Sequence, residues 1–225
     1  MKNQPTLTAA EFKSAIYLDF EGRKSIADKK YPVPHMAGTF RPEPGGTYRK
    51  YQANFFKPEW APAKNGGGAK VSNESFQDFF CLLLKELEAH NRHLVYWTMH
   101  EEAIMQRHLP VKLWTRLEPY LYNLHPLAKA YMNRRKAFGA GTTAKGRPLE
   151  EFLAAMYKKR NPYPPLAIGP SMACQRIDTA CVRTQRWNKF TDVQKKYVKD
   201  LLAYNEGDCR STWLIAKRIG NAFTC

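Results

Sequence analysis

The sequence predicts an α/β fold, a mixed sheet flanked by helices, and three observations predict it. Short apolar runs alternate with longer segments whose apolar residues recur at steps of three and four. Gly and Pro clusters punctuate the junctions between them. The 225 residues suffice for one sizeable domain and are marginal for two. Neither an internal repeat nor a linker divides them, so residues 1–225 read as a single domain. At 44% hydrophobic and 13% aromatic the chain can bury an ordinary core.

The first apolar run, SAIYLDF (Ser14 to Phe20), is short, is halted by Gly22 and reads as a buried strand. VPHMAGTFRP and TYRKYQANFF, separated by the turn-like PEPGG, read as a hairpin close to it. KPEWAPAKNGGGAK is a flexible loop by its Pro and Gly content. Its Gly66-Gly67-Gly68-Ala69-Lys70 lacks the spaced first Gly and the hydroxyl residue after Lys that a phosphate-cradling loop requires. A helix opens after Ser75, with Asp78 three residues on as an N-terminal partner. Phe76, Phe79, Phe80, Leu83, Leu84 and Leu87 form its apolar face. HLVYWTM (His93 to Met99) is a second buried strand, followed at once by the helix HEEAIMQRHL. Residues 111 to 137 read as helical pieces interrupted by Pro119 and Pro126. A basic, Gly-rich loop around Gly139 to Pro148 leads into the helix LEEFLAAMYKKR, and NPYPPLAIGPSMAC is irregular by its prolines. A long final helix runs from Thr191 or Asp192 to about Ile219, with Gly220 as its stop.

Composition narrows the partners. Lys and Arg outnumber Asp and Glu by 36 to 20, a net charge of +16 that favours polyanions, nucleic acid above all. The excess is dense in the second half, in KAYMNRRKAFGAGTTAKGR, YKKR, RTQRWNKF and KKYVK. No apolar run is long enough to cross a bilayer, and the opening MKNQPTLTAAEFK lacks the apolar stretch of a secretory signal. Five cysteines without paired spacing point to reduced thiols in a cytoplasmic setting. With no Cys-x-x-Cys present, a zinc or iron–sulfur centre is set aside.

Chemistry enters at the end of the first strand. In Asp19-Phe20-Glu21 the two acids are i and i+2 and project from one face of the sheet. Two carboxylates that close repel unless a cation or a shared proton neutralises them, so the pair invites a hard divalent metal. The final helix adds a third acid. Its apolar stripe passes through Tyr197, Leu201, Tyr204, Thr212, Ile215 and Ile219, and Asp208 falls on the same stripe. A carboxylate there costs several kcal/mol in desolvation unless it is paired or holds a metal. Tyr204, four residues earlier, shares that face. Glu101 opens the helix after the second strand, at the mouth of the sheet, with Glu102 as the competing candidate. His100 and His125 have no partner placed by the sequence.

These motifs, Asp19-Phe20-Glu21, Glu101 and Tyr204-Asn205-Glu206-Gly207-Asp208, resemble those of the DEDD exonucleases of the ribonuclease H-like superfamily. In that family a strand carries Asp-x-Glu, a second acid follows a later strand, and a C-terminal helix carries Tyr-x-x-x-Asp. YNEGDCRSTWLI, with LEEFLAAMYKKR upstream, is most similar to YprB-like ribonuclease H-like domains, the predicted RecB-family nucleases. The second acid is usually Asp in the wider superfamily, so Glu101 is a departure.

The resemblance implies a ribonuclease H-like fold and a metal-dependent nuclease, in the family a 3′→5′ exonuclease, acting on DNA more than RNA through two Mg²⁺ or Mn²⁺ ions. Asp19, Glu21, Glu101 and Asp208 would hold the metals, with Asp19 bridging, and Tyr204 would orient the attacking water. Arg134, Arg135, Lys158, Lys159, Arg160, Arg183 and Arg186 are the candidates for phosphate contacts. Trp187, Phe190 and Tyr157 are candidates for stacking on unpaired bases. A non-catalytic nucleic-acid-binding or recruitment module of the same fold, associated with a helicase or another nucleic-acid enzyme, is the alternative.

Overall fold

The computed structural model describes residues 7–23, 31–42, 49–139, 147–157 and 166–222. It is an α/β structure in which helices cover both faces of one six-stranded mixed sheet. A short helix α1 (Ala9–Ser14) leads into β1 (Ile16–Glu21). Thr8 and Glu11 close a reciprocal cap at its start, which satisfies two backbone donors that the first turn would otherwise leave open. β2 (Met36–Pro42) and β3 (Arg49–Phe55) form the expected antiparallel pair beside β1, and a two-residue β4 (Val71–Ser72) lies parallel to β3 at the edge. β5 (Leu94–Tyr96) and β6 (Leu121–Asn123) extend the other side in parallel, giving the order β4-β3-β2-β1-β5-β6.

The period of two along β1 sorts its side chains between two cores. Ile16, Leu18 and Phe20 face α2 (Phe76–His90), α3 (Met99–His108) and α4 (Val111–Leu117). Tyr17 faces the other layer, made of α1, α5 (Leu124–Arg134), α6 (Leu149–Tyr157), α7 (Pro170–Arg183) and α8 (Asp192–Ala222). Asp19 and Glu21 share the Tyr17 face, so the alternation that buries Tyr17 also aims both acids at the α8 layer. α2 behaves as its spacing predicts. Ser75 caps it, Phe76, Phe80, Leu83, Leu84 and Leu87 are buried, and Asn91 closes it in the left-handed conformation.

Four expectations need correction. The Pro- and Gly-rich segment after β3 is not a flexible loop. It winds into 3₁₀ turns at Pro58–Gly66 and Gly68–Lys70, because the fully buried Trp60 anchors it by ring contact with Phe55 and a hydrogen bond from Nε1 to Asp178. Within residues 111–137, β6 stands where only helical pieces are expected. Three residues are too few to show an alternation, and pairing with β5 decides their state. Pro126 lies in the first turn of α5, where a missing N–H costs nothing, so it interrupts no helix. Of the stretch 161–174 expected to be irregular, residues 161–165 lie outside the described residues, and Pro170 to Cys174 are helical, opening α7 with Pro170 at a position that likewise needs no N–H. Gly220 is not a stop either: α8 runs to Ala222, and Gly220 is where it meets α1. A methyl there would stand 3.2 Å from the Ala9 Cα and from the Phe12 ring.

α8 is the longest element, 31 residues and so about 46 Å. It lies across β1 and β2. Gly38 of β2, paired with Asp19, makes that crossing possible. A Cβ at Gly38 would overlap the side-chain amide of Asn205 and stand 2.8 Å from the Tyr51 ring. Gly38→Ala is therefore expected to lower stability by about 1–3 kcal/mol through overpacking. Urea unfolding checks this, and a midpoint within error of wild type would refute it.

Candidate metal centre

The three acids from the two ends of the chain meet. Asp19 and Glu21, at the end of β1, and Asp208, in the middle of α8, place one oxygen each within 4.8 Å of one another. Glu21 is buried, and Asp19 and Asp208 are half-buried. Among the described residues no Lys or Arg forms an ion pair with any of them.

Glu101 belongs to the same charge cluster without joining that triad. It is buried, and its charge opposes ionisation of Asp19, Glu21 and Asp208. Its Oε2 accepts hydrogen bonds from the Thr98 N–H at 3.0 Å and the Thr98 hydroxyl at 2.6 Å, the reciprocal cap of α3. Glu101 therefore caps the helix and faces the acids at once. Glu102 turns away, accepting from the Tyr96 hydroxyl.

Burial and mutual repulsion hold protons on these groups. Asp19 is pushed well above the usual carboxylate range by burial first and then by Glu21, Asp208 and Glu101, and it shares a hydrogen bond with Glu21. Burial, then the charge of Asp208, raises Glu21 to about 8. Asp208 rises to about 7 through burial, then the charge of Glu150. Glu101 is raised by burial, against the opposing effect of its Thr98 hydrogen bonds. The donor set fits a hard divalent cation. It offers carboxylate oxygens alone, and a cation would supply the countercharge that protons otherwise provide. The nearby Cys209 is not a competing soft ligand: its thiol donates to the Gly38 carbonyl at 3.4 Å, and burial pushes its ionisation well above the usual range.

Tyr204 donates to Asp208 and has its own ionisation driven upward, by burial first and then by Asp208, Glu21 and Asp19. Its hydroxyl keeps its proton. Three further residues complete the site, and none is singled out by the sequence. Asn205, fully buried on α8, donates from its Nδ2 to the Asp19 carboxylate at 2.7 Å and to the Asp19 carbonyl at 3.3 Å. Tyr51 of β3 donates to the Asn205 Oδ1 at 2.8 Å, which fixes the amide's orientation. Glu150, in the first turn of α6, faces Asp208 and Tyr204 as another acid. In the sequence it looks like an ordinary complement to a helix dipole. The signal for Asn205 is its place beside Tyr204, one step round a helix already known to bury polar residues.

The proposed nucleic-acid track is less unified. Arg134 ends α5, Arg135 follows it, and both are exposed, with Arg135 stacked over Tyr131. Arg183 ends α7, and Arg186 lies just beyond it, exposed. Lys158, Lys159 and Arg160 lie outside the described residues. The stacking role needs correction. Phe190 is buried, and Tyr157 spends its hydroxyl on the Leu214 carbonyl while its ring packs on the core. Trp187 is half-buried against Phe190, in a space that the missing side chain of Gly66 leaves open. Tyr157 packs because it continues the buried face of α6 set by Leu149 and Leu153, and Trp187 and Phe190 pack through the 3₁₀ turn that joins α7 to α8. His125 is wedged between Trp97 and Phe152, and burial, then Lys129, lowers its pKa. His100 is exposed.

No protein-family model, curated protein or solved structure matches the chain. Among the described residues no helix is long and apolar enough to cross a membrane.

The raised acids set a pH dependence. Glu21 rises from 4.5 to about 8 and Asp208 from 3.8 to about 7, so the folded, metal-free protein binds more protons than the unfolded chain across that span. The stability they contribute is complete below the unfolded values and is lost as pH rises through the folded ones. In EDTA the urea midpoint is expected to fall between about pH 5 and pH 8, and Asp208→Asn to flatten the fall. A midpoint that climbs over this range would contradict the assignment.

Proposed function

We propose that this protein is a divalent-metal-dependent nuclease of the ribonuclease H-like, DEDD type, a 3′→5′ exonuclease acting on DNA or RNA through two Mg²⁺ or Mn²⁺ ions. The observation that carries the reading is the meeting of Asp19, Glu21 and Asp208 in a partly buried spot with no Lys or Arg ion-paired to them among the described residues. Across the chain, bases exceed acids by 36 to 20, so gathering acids here, with Glu101 and Glu150 beside them, runs against every local electrostatic preference. A site for cations resolves that cost. The mixed sheet flanked by helices and the placement of the acids at the end of β1 and on α8 agree with the architecture the resemblance implies.

Asp19, Glu21 and Asp208 would hold the metal, with Glu101 completing the charge behind them. Metal ions bound there would acidify water and offset charge on the phosphate and the leaving oxygen. The residues of the chain prepare that chemistry. Asn205, locked by Tyr51, keeps the Asp19 carboxylate in one orientation, so little has to reorganise when the site loads. Tyr204 stays protonated and offers its hydroxyl as a hydrogen-bonding group at the edge of the acids. It orients water or substrate and does not remove a proton.

Labelled single- and double-stranded DNA and RNA, incubated with Mn²⁺, Mg²⁺ or EDTA, test the proposal. Cleavage is expected only with metal. Asp19→Asn and Asp208→Asn are expected to lower it by more than the roughly 10–100-fold that loss of a supporting partner costs. Metal-dependent cleavage that survives in both variants would sink the reading, and binding without cleavage would move it to a non-catalytic module. Asn205→Ala is expected to weaken Mn²⁺ affinity by about 10–100-fold, as removal of an orienting partner does, and Tyr51→Phe by less. Titration of the Mn²⁺-dependent melting temperature reads both.

A further inference from the structure

Two residues beyond Glu21 the chain reaches Arg23, and both line a cleft of about 680 Å³ at the carboxyl end of β1. Phe20 and Ile104 form one wall, and Ile168 with Met172, from the first turn of α7 and the residues before it, forms the other. The volume lies within the roughly 300–1,000 Å³ of sites that take small ligands or single residues of a polymer.

Arg23 is held from behind by Asp178 of α7, with Nη2 2.5 Å from Oδ2. Asp178 does not need that contact. Lys57 Nζ lies 3.0 Å from both its oxygens, Trp60 Nε1 donates at 2.7 Å, and His35 Nε2 lies at 3.1 Å. Those contacts already approach the four lone-pair sites that a carboxylate offers. Burial works against the charge of Asp178, yet the hydrogen bonds from His35, Trp60 and Lys57 hold its carboxyl well below the usual range. One fixed negative charge thus faces two permanent positive ones, Arg23 and Lys57, and the surplus is positive. The Arg23 side chain keeps 46% of its surface exposed, and Lys57 38%. An Arg that is held by a buried acid and lines a cleft is suited to an anion that offers two oxygens side by side, as a carboxylate or a phosphodiester does.

We propose that Arg23, set in place by Asp178, grips a backbone phosphate of a nucleic-acid strand lying in the cleft beside Glu21. The proposal rests on the nuclease reading and adds the contact that brings a polyanion up to a cluster of acids. Phe20, Ile104, Ile168 and Met172 would enclose the adjoining nucleoside, and Arg23 would supply the charge.

The test is binding of a fluorescent oligothymidylate of about 15 nucleotides in EDTA, at a series of KCl concentrations. Arg23→Gln is compared with Lys112→Gln, an exposed charge on α4 across the sheet. Losing one phosphate contact from a single strand reduces the slope of log K against log salt by about 0.7. Arg23→Gln is expected to lose that much, Lys112→Gln to keep the wild-type slope, and Arg23→Lys to recover it. Equal slopes for wild type and Arg23→Gln, or an equal loss in both Gln variants, would overturn the proposal. The Mn²⁺-dependent rise in melting temperature separates the two readings. An Arg23→Gln protein that loses slope but keeps the metal response supports both. A wild type without a metal response, but with the Arg23 effect on slope, removes the nuclease reading and leaves the phosphate contact standing. A wild type that binds no oligonucleotide overturns the contact.

Discussion

The rest of this structure depends on the contact between Asn205 and Asp19. α8 must cross β1 and β2 at close range, yet its middle carries polar residues, so the crossing holds only if the buried Asn205 is satisfied. An amide buried without partners would cost roughly 1–3 kcal/mol, comparable to the gain from burying one aliphatic side chain. Here its donor is spent on Asp19 and its acceptor on Tyr51, and the absent side chain of Gly38 makes the space. One set of bonds therefore seats the longest helix and orients the first acid of the site. Stability and chemistry are coupled at this point.

Electrostatics divide the molecule in a way the net charge hides. The acids that matter are concentrated at the end of β1, on α8 and at the starts of α3 and α6, while the basic excess lies outside that centre. The two regimes touch at Asp178, where an acid is surrounded by cations a few residues from the place where acids surround one another. Burial and repulsion raise the carboxyl pKa values at the end of β1, while hydrogen bonds from His35, Trp60 and Lys57 lower that of Asp178 on α7. That contrast is the pattern expected where a cation and an anion have to be received side by side.

Much of this was legible in the sequence where a local period or a cap decides the outcome. β1, the β2–β3 pair, α2, α3 and most of α8 follow from spacing, and the shared face of Asp19 and Glu21 follows from the pleat alone. Asp208 was legible as an acid on an apolar stripe. What escaped was set by contacts between distant segments. β6 is a strand because β5 lies beside it, and the segment holding Trp60 is ordered because Asp178, 118 residues later, accepts its N–H. Gly220 looked like punctuation because its neighbour across space, α1, comes from the far end of the sequence. Tyr157 and Phe190 stand beside basic runs, where stacking on bases and core packing look alike in the sequence. Phe190 is a core residue because the 3₁₀ turn before α8 carries it inward, and Tyr157 packs against the core from the last turn of α6.

The bond from Asn205 to Asp19 spans 186 positions of the chain. Contacts of such separation close a long loop, whose entropy has to be offset by structure already in place. During synthesis Asp19 and Glu21 emerge long before Asp208 and Asn205, and they meet them only when α8 docks. The cluster of three acids is thus a mark of completed folding. Before α8 docks, Asp19 and Glu21 stand on their strand without Asp208 or the orienting amide of Asn205.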